Sequence, residues 1–163
     1  MKIFISALAV ATALSGAAVA APNEGETFGA WKVVCEGANP CQAFLGLKDE
    51  KSGRLVLSAS AHKLPADKNP TLVLSLPLGL ALKEGVALLS GAPGKAPVPA
   101  AVDVCFPDGC RAAIELTPEA LGALTASDNF EVRFIAFGAT DRVESVKVPA
   151  NGLADALKRL SRK

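Results

Sequence analysis

Four cysteines and one histidine are the side chains in this 163-residue chain best suited to nucleophilic, redox or metal chemistry. The cysteines fall into two close pairs, Cys35 with Cys41 and Cys105 with Cys110. Zinc sites favour closely spaced cysteine pairs with further ligands nearby. The C-x4-C pair at 105 to 110 has such a spacing, but the C-x5-C pair at 35 to 41 does not, and His62 would have to anchor any mixed site. No metal and no cofactor are expected. An even number of cysteines in an exported chain reads instead as disulfides, with three connectivities open to four thiols. Pairing within each couple, Cys35 to Cys41 and Cys105 to Cys110, is the preferred expectation, because each intervening turn brings its own thiols together. The competing arrangement would staple distant strands through long loops.

His62 stands at i+2 and i+4 from Ser60 and Ser58, so all three share one face of a strand. A hydroxyl beside an imidazole suggests a nucleophile and its base. No G-x-S-x-G elbow surrounds either serine, however, and strand residues two apart are poorly placed for proton transfer. A solvated histidine at a strand end accounts for the pattern. Gly91-Ala92-Pro93-Gly94-Lys95-Ala96 has the glycines and lysine of a phosphate loop, but neither its spacing nor the following Ser or Thr. Asp103 with Asp108, or Glu115 with Glu119, would serve a glycosidase only at a defined separation, and they read as ordinary exposed acids. No catalytic residue is therefore assigned. Trp31, four positions before Cys35, fits core packing against a disulfide better than an exposed recognition anchor. With no tyrosine in the chain, a sugar-binding platform lacks support.

The elements that must position these groups begin after an export signal. Lys2, the apolar run Ile3 to Leu14 and the closing Ala18-Val19-Ala20 match a secretory signal peptide over residues 1–20. The run is too short for a membrane span, and Ala17 stands where a lipoprotein would carry its acylated cysteine. Taking 20 residues from 163 leaves 143, a suitable length for one domain. Residues 21–28 are expected to be a mobile leader and 29–163 a single β-rich domain. Loss of Lys2 brings 17 basic side chains to 16, against 16 acidic, so net charge makes no case for nucleic acid or an anionic membrane as partner.

Alternation of apolar and polar residues predicts strands from Trp31, from Cys41, and from Arg54 to Ser60, where Leu55, Leu57 and Ala59 share a face. Thr71 to Leu76 is a continuous apolar run suited to the interior, followed by a buried bend over Pro77 to Gly85. Val86 to Ser90 is a short strand. Ala101 to Phe106 and Arg111 to Leu116 flank the turn Pro107-Asp108-Gly109. Thr117 and Pro118 open a short helix as N-cap and first helical residue. Phe130, Val132, Phe134 and Ala136 alternate against Glu131 and Arg133, Arg142 to Val148 is the partner strand, and Asn151 is expected to cap a last helix with Leu153, Leu157 and Leu160 on one stripe. Lys158, Arg159 and Arg162 suit its C-terminal end. The class is mainly β: an antiparallel sandwich or partly open barrel with two short helices.

Trp31-Lys-Val-Val-Cys35, Cys41-Gln42-Ala43, Leu76-Pro77-Leu78-Gly79, Gly85-Val86, Cys105-x4-Cys110 with Gly109, and the closing Asn151-Gly152-Leu153 helix occur in an order that resembles the invasion-associated locus B family, small exported proteins of Gram-negative bacteria. The resemblance runs from about Gly29 to the last helix. It implies a periplasmic or envelope-associated β domain without an established enzymatic activity, and the chain is expected in the periplasm, with outer-membrane association or secretion as the alternatives. A binding protein for protein or envelope components is the leading expectation, with the family's name linking one member to host-cell invasion. A small periplasmic hydrolase or its inhibitor is the alternative, and a periplasmic chaperone would require an exposed apolar groove or edge strand.

Overall fold

In the computed structural model, residues 25–36 and 40–161 are described. The expected signal segment, the first part of the expected leader, the Gly37-Ala38-Asn39 turn and Arg162 lie outside them. Eleven strands and two α-helices follow in order: β1 Thr27–Phe28, β2 Trp31–Val34, β3 Gln42–Lys48, β4 Leu55–His62, β5 Thr71–Leu76, β6 Val86–Ser90, β7 Val98–Ala100, β8 Val102–Phe106, β9 Gly109–Glu115, α1 Pro118–Leu124, β10 Asn129–Ala136, β11 Ala139–Pro149 and α2 Leu153–Leu160. A short 3-10 turn, Leu82–Glu84, precedes β6.

These strands form two sheets rather than a closed barrel. The larger runs β1-β2-β3-β4-β5-β9-β8 and the smaller β11-β10-β6-β7, with every pairing antiparallel. The alternation in sequence decides which face of each strand is buried. Ala43 and Leu45 on β3, Leu57, Ala59 and Ala61 on β4, Leu72, Leu74 and Leu76 on β5, and Ala112 and Ile114 on β9 all point into one core. Phe130, Val132 and Phe134 of β10, with Leu88 of β6, meet them from the smaller sheet. Each fully buried Leu or Phe side chain contributes about 1.5–3 kcal/mol through burial. Four strands cannot cover seven, and α2 supplies the missing cover: its Leu153, Ala156 and Leu157 pack with Trp31 in the same core. Trp31 also donates its Nε1–H to the carbonyl of Pro149 at 3.0 Å, tying β2 of one sheet to the end of β11 in the other.

The helix signals are met at α1, where Thr117 Oγ1 accepts the amide of Ala120 at 3.2 Å and Pro118 follows as the first helical residue. At α2 the expectation is corrected. The N-cap is Gly152, not Asn151, and no side chain caps the helix. The reason is a close backbone approach: the β1–β2 turn lies against the entry to α2, with the amide of Ala30 donating to the carbonyl of Asn151. A Cβ on Gly152 would stand 1.8 Å from the carbonyl oxygen of Phe28, and one on Gly29 would stand 2.5 Å from that of Asn151.

Three further expectations differ. Residues 25–28 do not behave as a leader: Thr27 and Phe28 pair with Lys32 and Trp31, Gly25 donates its amide to the carbonyl of Val33, and Glu26 forms an ion pair with Arg159 of α2 at 2.9 Å. The bend from Pro77 to Gly85 buries only Leu80, while Leu78 and Leu82 face solvent. Leu55 is exposed rather than inward with Leu57 and Ala59, because a bulge shifts the β3–β4 register between Leu47 and Lys48. The chain between Val98 and Phe106 also divides its pairing: β7 joins the smaller sheet, and after Ala101 β8 joins the larger one.

Candidate functional site

Both cysteine couples are disulfides, Cys35 to Cys41 and Cys105 to Cys110, and among the described residues no cysteine is free. Cys105 and Cys110 are direct cross-strand partners on β8 and β9, while Cys35 and Cys41 lie just beyond the Val34–Gln42 pair that ends the β2–β3 ladder. The Cys35–Cys41 and Cys105–Cys110 bonds each close a short local loop, with sequence separations of 6 and 5. Among the described residues no group of three or more His, Cys, Asp or Glu side chains could hold a metal ion.

His62 ends β4 opposite Thr71 and lines a hollow of about 290 Å³ with Glu36, Pro40, Gln42 and Leu64. Ser60 pairs with Val73 and Ser58 with Ser75, so the three residues occupy successive rows. Neighbouring rows on one face are about 7 Å apart along the strand, beyond hydrogen-bond reach. Ser58 is also only 8% accessible. Three of the four candidate carboxylates have hydrogen-bond or ion-pair partners of their own. Asp103 accepts the amide of Ala113, Asp108 forms an ion pair with Arg111 at 2.6 Å, and Glu115 accepts from Asn69. Glu119 sits in the first turn of α1. Lys95 and α1 border a groove of about 610 Å³ that is lined mainly by proline and alanine.

What the fold does assemble is a surface. The face of the seven-stranded sheet that points away from the core carries continuous cross-strand rows. One reads Lys32, Phe44, Ser60, Val73 and Ala113 across five strands. The next reads Gly46, Ser58, Ser75, Arg111 and Val104. Phe44, Val104 and Phe106 are exposed large apolar residues on it. The Arg111 guanidinium lies 5.6 Å from the Phe106 ring centroid and pairs with Asp108, while its Nη1 is buried without a protein hydrogen-bond partner. Aromatic residues and arginine are the types enriched in protein interfaces. Sequence reasoning did not single out Phe44 or Arg111. The signal at Phe44 is its phase: it alternates with the inward Ala43 and Leu45, so a large aromatic occupies an outward position.

A second apolar feature marks the β10–β11 hairpin end. Phe137 is 81% accessible, and its amide donates to the carbonyl of Gly79, placing it beside the exposed Leu78. The shifted carboxylates belong to other parts of the surface. Hydrogen bonds from Arg133 and then Ser145 hold the Glu131 carboxyl below its ordinary value, and Ser52 does the same for Asp49 at the β3–β4 turn. Neither lies beside His62. No helix among the described residues is long and apolar enough to cross a membrane.

No curated protein matches the chain. Among solved structures, it is similar to invasion associated protein B from Bartonella henselae, with a TM-score of 0.72 and 26% identity over 83% of this chain and 94% of that one. The model of the family described as invasion associated locus B (IalB) protein matches residues 31–161, from the buried tryptophan of β2 through α2. The chain belongs to the invasion-associated locus B family.

Proposed function

We propose that this chain is an exported, non-catalytic protein of the bacterial envelope that acts by binding protein or envelope components through the outward face of its seven-stranded sheet. The observation that carries the reading is the pair of cross-strand rows on that face, with Phe44 and Val73 in one and Arg111 and Val104 in the other. A sheet face that already has its other side in the core offers a wide, rigid platform, and apolar residues on its outward phase contribute nothing to that core. The family membership and the likeness to an invasion associated protein support a role in the envelope, including contact with a host cell. Two local disulfides support an oxidising compartment, and the sequence of residues 1–20 supports export with a mature start at Ala21 and no lipid.

The test uses the mature protein as bait in solubilised native envelope, beside Phe44→Lys and His62→Ala. The expected result is a specific partner kept by His62→Ala and lost by Phe44→Lys, with both variants folded. His62 lies at the end of β4, and its replacement is expected to leave the protein folded. Turnover of peptide, ester or glycan substrates that disappears in His62→Ala would replace this reading with a hydrolase.

A further inference from the structure

We infer that the Cys105–Cys110 disulfide is an exchange site for an external thiolate, which attacks the sulfur of Cys105 and leaves Cys110 as the departing thiol. The inference rests on where the two sulfurs lie in the sheet and is independent of the binding face proposed above. Leu76, Cys110 and Cys105 form a single cross-strand row from β5 through β9 to β8. β8 is the last strand of its sheet, and Cys105 is exposed there. One strand further in, Cys110 is 1% accessible and Leu76 is 2% accessible. The disulfide thus spans from the interior to the edge.

Thiol–disulfide exchange is an in-line displacement, so the incoming sulfur approaches from the side opposite the leaving sulfur, and access decides which sulfur is attacked. For Cys105 that side is the open edge of β8. For Cys110 it is the side of β5, which the buried Leu76 occupies. In the step, the external thiolate forms a bond to Cys105 Sγ, the Cys105–Cys110 bond breaks, and its electron pair leaves on Cys110 Sγ, which takes up a proton. The product is a mixed disulfide at Cys105 and a thiol at Cys110. Return of the Cys110 thiolate expels the external thiol and restores the starting bond. Attack by a second external thiolate on the sulfur of the first completes a two-electron reduction, with the two external thiols oxidised to one disulfide. β8 is an edge strand, and its ladder to β9 is irregular between Val102 and Val104.

The folded mature protein is exposed in separate arms to reduced glutathione and to a C-x-x-C oxidoreductase whose second cysteine has been replaced by alanine, quenched with acid, and mapped by non-reducing peptide mass spectrometry. The expected adduct is on Cys105. An adduct in the first arm alone assigns the site to small thiols, and in the second to a protein thiol. An adduct on Cys110, or none on Cys105 while an exposed cystine peptide exchanges under the same conditions, overturns the inference. A second measurement compares oxidised glutathione with Cys110→Ser, which leaves the Cys105 thiol, and with Cys105→Ser, which leaves that of Cys110. Cys105 should react on the order of 100-fold faster in buffer, and the two should react alike in denaturant. Equal rates in the native state would also overturn it. If either variant does not fold, the mapping of the wild-type protein decides alone.

Discussion

Glu131 shows how a single side chain is governed by its sheet neighbours. It stands on the outward side of β10, where Arg133 donates to its carboxylate from two nitrogens at 3.0 and 2.8 Å and Ser145 of β11 donates at 3.1 Å. These bonds, that of Arg133 first, lower its pKa from the ordinary 4.5. A carboxyl lowered in the folded state contributes stability above its unfolded value and loses that contribution as pH falls through the folded one. The expected outcome is that wild-type stability declines more steeply than that of Glu131→Gln on acidification from about pH 6 to about pH 3. Superimposed urea midpoints for the two proteins across that range would show that this exposed pair contributes nothing. At the same scale His62 illustrates what spacing alone conveys: the shared face with Ser58 and Ser60 was legible, and so was the distance that keeps them apart.

At the scale of elements, two glycines separate local propensity from tertiary demand. Gly122 lies inside α1, and a Cβ there meets nothing within 4 Å. Gly122→Ala should stabilise the protein by about 0.5–1 kcal/mol, since alanine restores helix propensity and reduces unfolded-state entropy. Gly152 has φ +92° and no space for a side chain against the carbonyl of Phe28. Gly152→Ala should destabilise by about 3 kcal/mol or more, combining a left-handed backbone with a steric clash. Chemical denaturation of the two variants checks both signs, and a neutral Gly152→Ala would mean that the β1–β2 turn is not pressed against α2. An Asn-Gly pair before a leucine stripe reads from sequence as an asparagine cap, because side-chain capping is the commonest way to open a helix. Contact with a turn more than 120 residues earlier replaces it here.

For the molecule as a whole, the two sheets and α2 are joined around Trp31. The indole is fully buried and its Nε1–H reaches Pro149 O across the sandwich. Trp31→Phe removes the donor to the part-buried Pro149 carbonyl and leaves a smaller side chain in the core that Trp31 shares with Leu153. The expected loss is about 2–4 kcal/mol in urea unfolding, with the secondary structure retained. A loss below about 0.5 kcal/mol, the range of an ordinary surface change, would show that the two sheets are held together elsewhere.

The amino-acid sequence by itself determined the β class, most strand positions, the N-cap of α1 and the family, and it favoured the local disulfide pairing over two open alternatives. Each depends on neighbours a few residues apart: alternation in β10, a Thr-Pro start, or thiols on either side of one turn. The tertiary structure alone decided the strand order, the incorporation of residues 25–28, the exposure of Leu55, Leu78 and Leu82, and the meeting of Gly29 with Gly152. It also decided which outward residues share a surface. Phe44, Val73 and Arg111 are far apart along the chain and adjacent only because β3, β4, β5 and β9 pair in that order and register. Alternation specifies which face a residue occupies on its own strand. Which strands lie beside it depends on the packing of two unequal sheets around one core, a property that no local pattern encodes.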